Sequence, residues 1–157
     1  MKFKQVVLNP DPRLRAPNTE VTEPWEKLEP LVRQMWKVMY NTGNGVGLAA
    51  PQVGWNARLF IMNPDTESKK PDAQRVFWNP LIVEVIGVPV KVREGCLSLP
   101  GVFGTVMRYP AVRLRAMSPK GPVEETFMDF PAQIVQHEVG HLNGELVWEH
   151  FIKEPTV

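Results

Sequence analysis

The chain has 157 residues, 43% apolar and 22% charged, with 18 Lys and Arg against 17 Asp and Glu for a net charge of +1. This length suits one ordinary domain with its own core, and the composition excludes a disordered chain. Near-neutrality argues against a broadly basic nucleic-acid surface, the single cysteine excludes an internal disulfide, and no run approaches the roughly 18 apolar residues of a membrane span. The start has only a three-residue apolar run before Asn9 and Pro10, unlike a secretory signal, so the expected setting is the cytoplasm.

In chain order, residues 1–24 hold four prolines and are expected to be extended or looped around the body. A first helix is expected from about Pro30 to Asn41, where Leu28, Leu31, Met35 and Met39 recur at three- and four-residue spacing. Pro30 suits its first turn, so Thr22–Glu29 reads as a separate short turn, and Gly43 ends the helix. Gly45-Val46-Gly47-Leu48-Ala49-Ala50-Pro51-Gln52 is too glycine-rich for an element interior. Strand-like runs follow at Arg58–Asn63, Val76–Ile86 (broken near Pro80) and Val88–Arg93, with Asp65–Asp72 read as an exposed loop. Val102–Met107 and Ala111–Ala116 add two more, and Val123–Met128 can pair across the turn signal Ser118–Gly121. Arg108, Arg113 and Arg115 read as alternating solvated strand positions, not as a basic patch.

The last helix is expected to start at Asp129 as N-cap, with Pro131 in its first turn, and to run through His141 to a stop at Asn143-Gly144. Short consecutive strands with helices towards the ends predict an α+β fold with mostly antiparallel pairing, in one domain over residues 1–157.

Residues 137–141 read His-Glu-Val-Gly-His. On a helix, positions i and i+4 share a face, so His137 and His141 can grip one ion while Glu138 stands within reach of a water bound to it. Gly140 costs a mid-helix position about 1 kcal/mol relative to Ala, which a close approach by another segment would explain, as would chance. The third donor is expected upstream, for Val147 cannot coordinate and only 16 residues follow His141. His150 is one alternative. Cys96 is the softest upstream donor, and two imidazoles with one thiolate leave an open position in a tetrahedral shell, as in a catalytic site. Read alone, Cys96 would be a buried thiol, a redox group or a ligand.

Three segments in order resemble the peptide deformylase family, which removes the formyl group from new N-formylmethionyl chains. They are Gly45–Gln52 for its GxGxAAxQ, Glu94-Gly95-Cys96-Leu97-Ser98 for its EGCxS, and Gln136–His141 around its HExxH. The resemblance implies antiparallel sheets packed around a central helix carrying the metal site, with the helix of the amino-terminal half outside. It implies Cys96, His137 and His141 as metal ligands, Glu138 as general acid/base, and Gln52 with the Leu97 backbone N–H as donors to the developing oxyanion. A metal-bound water would attack the formyl carbon, releasing formate.

Gly45, Gly47 and Gly95 would let backbone approach an extended substrate peptide, and Val46, Val92, Phe130 and Ile134 match the family's lining of the methionine pocket. The resemblance suggests one divalent ion per chain, Fe²⁺ in the cell, with Zn²⁺, Ni²⁺ or Co²⁺ also accepted. It implies a monomer acting in a bacterial-type translation compartment, with transient ribosome contact. The family commonly has Asp where Gly140 stands, a carboxylate that could brace neighbours such as Arg108. A shorter cover past the helix would come from Leu146, Val147, Trp148, Phe151 and Ile152. Two other readings stand beside this one: a different metal amidase or endopeptidase, and a metal-stabilised binding module with His150 as fourth ligand.

Overall fold

Leu59–Met62 (β2) reads Leu-Phe-Ile-Met and is buried along its whole length, as a strand covered on both faces must be. Its neighbours share that demand. In the computed structural model, which describes residues 1–65 and 73–153, β1 (Gly47–Ala49), β2, β3 (Arg75–Ile86), β6 (Ala111–Ser118) and β7 (Gly121–Met128) form one antiparallel sheet in the order β1-β2-β3-β6-β7. A two-stranded sheet of β4 (Val90–Cys96) and β5 (Leu99–Arg108) stands apart from it. Alternation sorts the large sheet's side chains into two cores. Leu48, Leu59, Ile61 and Trp78 pack with helix α1 (Trp25–Asn41), while Ala49, Phe60, Met62 and Phe77 pack with helix α2 (Asp129–Leu142). The sheet is thus sandwiched, with α2 on the side that also receives β6 and β7.

Several expectations change. Helix α1 begins at Trp25, so Thr22–Glu29 is not a separate turn. Trp25 stacks on Trp78 at 5.8 Å and Leu28 is buried, which draws the first turn into the helix. Pro30 then lies in the second turn on the solvent side, where water can take up the freed carbonyl. The expected break near Pro80 is a register irregularity within one continuous β3, beside Asn79 at φ 49°. The glycine-rich segment is no plain loop: it contributes β1 and a 3₁₀ turn, Ala50–Val53, because its small residues fit between β2 and the helices. The region 66–72, most of the expected loop at Asp65–Asp72, lies outside the described residues.

The small sheet runs further than expected, through Gly95 and Cys96 to a two-residue turn at Leu97-Ser98. β6 and β7 pair across Ser118–Gly121 as anticipated. Arg113 meets Glu84 at 3.3 Å and Arg115 meets Glu124 at 3.0 Å, so these cations are spent on neighbouring strands. Asp129 does not cap α2. It takes φ 58°, which Asp tolerates, and gives its N–H to the Pro110 carbonyl (2.8 Å) instead of accepting from the helix.

The amino-terminal segment straps the two sheets together. The Val7 N–H donates to the Gln52 carbonyl and the Asn9 N–H to the Ser98 carbonyl, at 2.6 and 2.8 Å. Past α2, Leu146 packs with Val7 and Leu14, and the Ile152 N–H donates to the Thr105 carbonyl at 2.9 Å. Phe151 lies so close to Gly104 that a Cβ there would stand 2.4 Å from its ring.

Candidate active site

His137 and His141 sit one turn apart on α2 with their Nε2 atoms 3.2 Å from each other. The turn after β4 brings the Cys96 Sγ to 3.3 Å from the His141 Nε2. The three donor atoms all lie within 4.8 Å of one another. On one tetrahedral ion, two imidazole nitrogens stand about 3.4 Å apart and a thiolate about 3.5 Å from each. The donor set and its spacing fit a divalent ion with one coordination position to spare. His150 is outside this group: it is exposed, with its Nε2 4.0 Å from a Glu145 carboxylate oxygen. A fourth protein ligand from His150 is therefore not formed.

Glu94 orients His137. Its carboxylate accepts from the His137 Nδ1–H at 2.9 Å and receives a bidentate pair from Arg108, at 2.8 Å for each bond. With Gly140 in place of the family's usual Asp, the carboxylate that meets Arg108 is Glu94, and a Cβ at Gly140 would meet nothing nearer than the Glu145 Oε2 at 3.4 Å. No segment crowds Gly140, so close approach does not explain it. Burial would raise the Glu94 carboxyl, but the hydrogen bonds and charges of Arg108 and His137 outweigh it and hold it at about 2. Without a bound ion, burial opposes charge on His137, yet its hydrogen bonds to Cys96 and Glu94 and the negative Glu138 hold it up at about 10. His141 is pushed well below its ordinary value by burial and by the charge on His137.

Glu138 is buried with one carboxylate oxygen unpartnered among the described residues. Burial pushes it up to about 7, against the pull of a charged His137. Gly47 makes room for it: a Cβ there would meet the Glu138 Cγ at 3.0 Å and the Ile134 Cγ2 at 2.9 Å. Gln52 is fixed at both ends of its amide. Its oxygen accepts the Ala49 N–H at 2.9 Å, and its nitrogen donates to the Ser98 Oγ at 3.1 Å with Cys96 Sγ 3.6 Å away. That orientation leaves an N–H₂ group facing the ligand cluster. Leu97 occupies the turn directly after Cys96.

These groups open on one cavity of about 710 Å³, bounded in part by Gly45, Val46, Gly47, Gly95, Phe130 and Ile134. Gln52, Cys96, Leu97, His137 and Glu138 also border it. Val92 does not border it: it is paired across the small sheet with the buried Val106. Glu94 and Ser98 carried no role in the sequence reading. Glu94 stood inside a quoted motif, but its Arg108 partner is a strand away and nothing in the spacing marks it.

The family model described as Polypeptide deformylase matches residues 3–156. A peptide deformylase of Pseudothermotoga lettingae is 41% identical over 144 residues, covering 91% of this chain and 80% of that one. A chloroplastic/mitochondrial peptide deformylase 1B of Arabidopsis thaliana is 39% identical over 146 residues, 92% of this chain and 53% of its own. Among solved structures, peptide deformylase from Plasmodium falciparum superposes with a TM-score of 0.90 at 38% identity, covering 94% of this chain and 86% of that one. The Thermotoga maritima enzyme gives 0.87 at 32% identity, with 98% and 99% covered.

Proposed function

The chain belongs to the polypeptide deformylase family, and on that premise we propose that Cys96, His137 and His141 hold a divalent ion beside which Glu138 moves the protons of formamide hydrolysis. The protein is a metal-dependent hydrolase that takes the N-formyl group off nascent peptides. The observation carrying the residue assignment is the cluster of one sulfur and two imidazole nitrogens at 3.2–3.3 Å contacts.

When bound, the ion supplies a water acidic enough to ionise near neutral pH. Glu138, buried and with a carboxylate oxygen unpartnered among the described residues, is placed to take a proton from the attacking water and would return it to the departing amine as the C–N bond breaks and formate forms. The Gln52 amide, held by Ala49 and Ser98, and the Leu97 N–H donate to the formyl oxygen as it gains charge. Glu94, itself neutralised by Arg108, keeps the His137 ring turned with its Nε2 towards the ligand cluster. Val46, Phe130 and Ile134 give the methionine side chain apolar walls, and Gly45, Gly47 and Gly95 let substrate backbone lie against the chain.

The whole of residues 1–157 serves as one catalytic domain, acting as a monomer on formylmethionyl peptides in a bacterial-type cytoplasm, with transient ribosome contact. No helix among the described residues is long and apolar enough to cross a membrane. A His₂Cys donor set accepts Fe²⁺, Zn²⁺, Ni²⁺ and Co²⁺, and Fe²⁺ is the ion we assign in the cell. The test is formate release from formyl-Met-Ala by protein loaded with each ion in turn. Turnover is expected, and its absence with all four overturns the reading. Glu138→Gln is expected to keep its metal and lose turnover about a hundredfold or more.

A further inference from the structure

The cavity's rim is cationic. Its borders include two exposed bases, Lys4 and Arg93, while the two carboxylates that border it among the described residues are already committed. Glu94 is bonded to Arg108 and His137, and Glu138 is buried at the ligand cluster. The other polar groups at the mouth, Asn41, Thr42 and Asn44 among them, are neutral.

Arg93 is held in place without being neutralised. Its carbonyl accepts from the Gln133 side chain at 3.3 Å, and its guanidinium lies over the half-exposed Phe103 ring at 5.7 Å. No carboxylate among the described residues pairs with it. It stands three residues before Cys96 on β4, roughly 10 Å along the strand at about 3.3 Å per residue. An extended peptide with its formyl carbon at the ligand cluster covers that distance in two to three residues.

We propose that Arg93 is a specificity-determining residue that selects formylated chains carrying a carboxylate side chain at their second or third position. The proposal rests on the deformylase reading for the direction in which the peptide enters. A guanidinium fork at the rim meets a carboxylate bidentately, and Lys4 on the same rim adds attraction without that geometry. Because the pair is exposed, the effect is modest and falls with salt.

The test compares carboxyl-terminally amidated formyl-Met peptides with Glu, Gln or Lys at position two or three, at low ionic strength. Two readouts are taken: kcat/KM with the metal-loaded protein, and Kd with metal-loaded Glu138→Gln, which binds without consuming the peptide. At one of the two positions Glu is expected to show a kcat/KM about threefold higher and a Kd about threefold lower than Gln, with Lys poorer than Gln in both readouts. The Glu-to-Gln ratio is expected to collapse to about one in Arg93→Gln and to invert in favour of Lys in Arg93→Glu. Equal values for Glu and Gln at both positions overturn the proposal, as does a preference that survives Arg93→Gln or vanishes with Lys4→Gln alone. Failure of the wild-type protein to hydrolyse any formyl peptide would instead sink the deformylase reading, while the Kd ratios would still decide the role of Arg93.

Discussion

His137 is pulled two ways: burial penalises its charge, while Cys96, Glu94 and Glu138 reward it and hold it at about 10 in the ion-free protein. An incoming divalent ion must displace that proton. The ion-free state therefore holds a proton that the loaded state gives up, so the apparent affinity for metal is expected to rise with pH across the neutral range. Titration of Zn²⁺ against a competing chelator at pH 6, 7 and 8 checks this. A flat affinity, or no proton release in calorimetry with two buffers of different ionisation enthalpy, contradicts it. The residues of this cluster were readable in the sequence because helical spacing puts His137 and His141 on one face, and because a lone cysteine has few roles. Glu94 and Ser98 were not. Each acts through a partner that only the fold brings near, Arg108 across the small sheet and Gln52 across the strap, and neither distance leaves a periodic trace.

Among the elements, α2 carries a glycine that the surrounding packing does not require. A Cβ at Gly140 would meet only the end of the flexible Glu145 side chain at 3.4 Å, so Gly140→Ala is expected to stabilise the protein by about 1 kcal/mol in urea unfolding. Gly104 is the opposite case. Its Cβ would fall 2.4 Å from the Phe151 ring, so Gly104→Ala is expected to lower stability and to expose the segment after α2 to proteolysis. Unchanged unfolding midpoints for the two variants would contradict both statements. Strand identities were legible from runs of Val, Ile, Phe and Leu, and the sandwich from a β2 apolar at every position. Element ends were harder. Trp25 joined α1 because of a ring on β3, and Asp129 left its capping role for a carbonyl on the loop before β6, both long-range choices that local signals do not encode.

For the molecule as a whole, the ligands come from two otherwise separate bodies, Cys96 from the small sheet and the imidazoles from the helix under the large one. An ion bound there ties these bodies together and stabilises only the folded chain. At a thousandfold excess over Kd it adds about 4 kcal/mol, which raises Tm by roughly 10 °C for a chain of this size. Calorimetry before and after chelation tests this; a Tm indifferent to ion concentration contradicts it. The α+β class was readable because consecutive strands alternate cleanly with turns. The order of the large sheet was not, since β3 passes over the β4–β5 hairpin to join β6, and no local pattern announces a neighbour skipped. The strap has a further bearing on how the protein is made. Synthesis delivers Val7 and Asn9 early, yet the carbonyl that Asn9 needs belongs to Ser98, and the ring of His141 comes later still. The strap therefore cannot close until the small sheet has been made, so the two bodies that carry the ligands are joined late, when both are already in place.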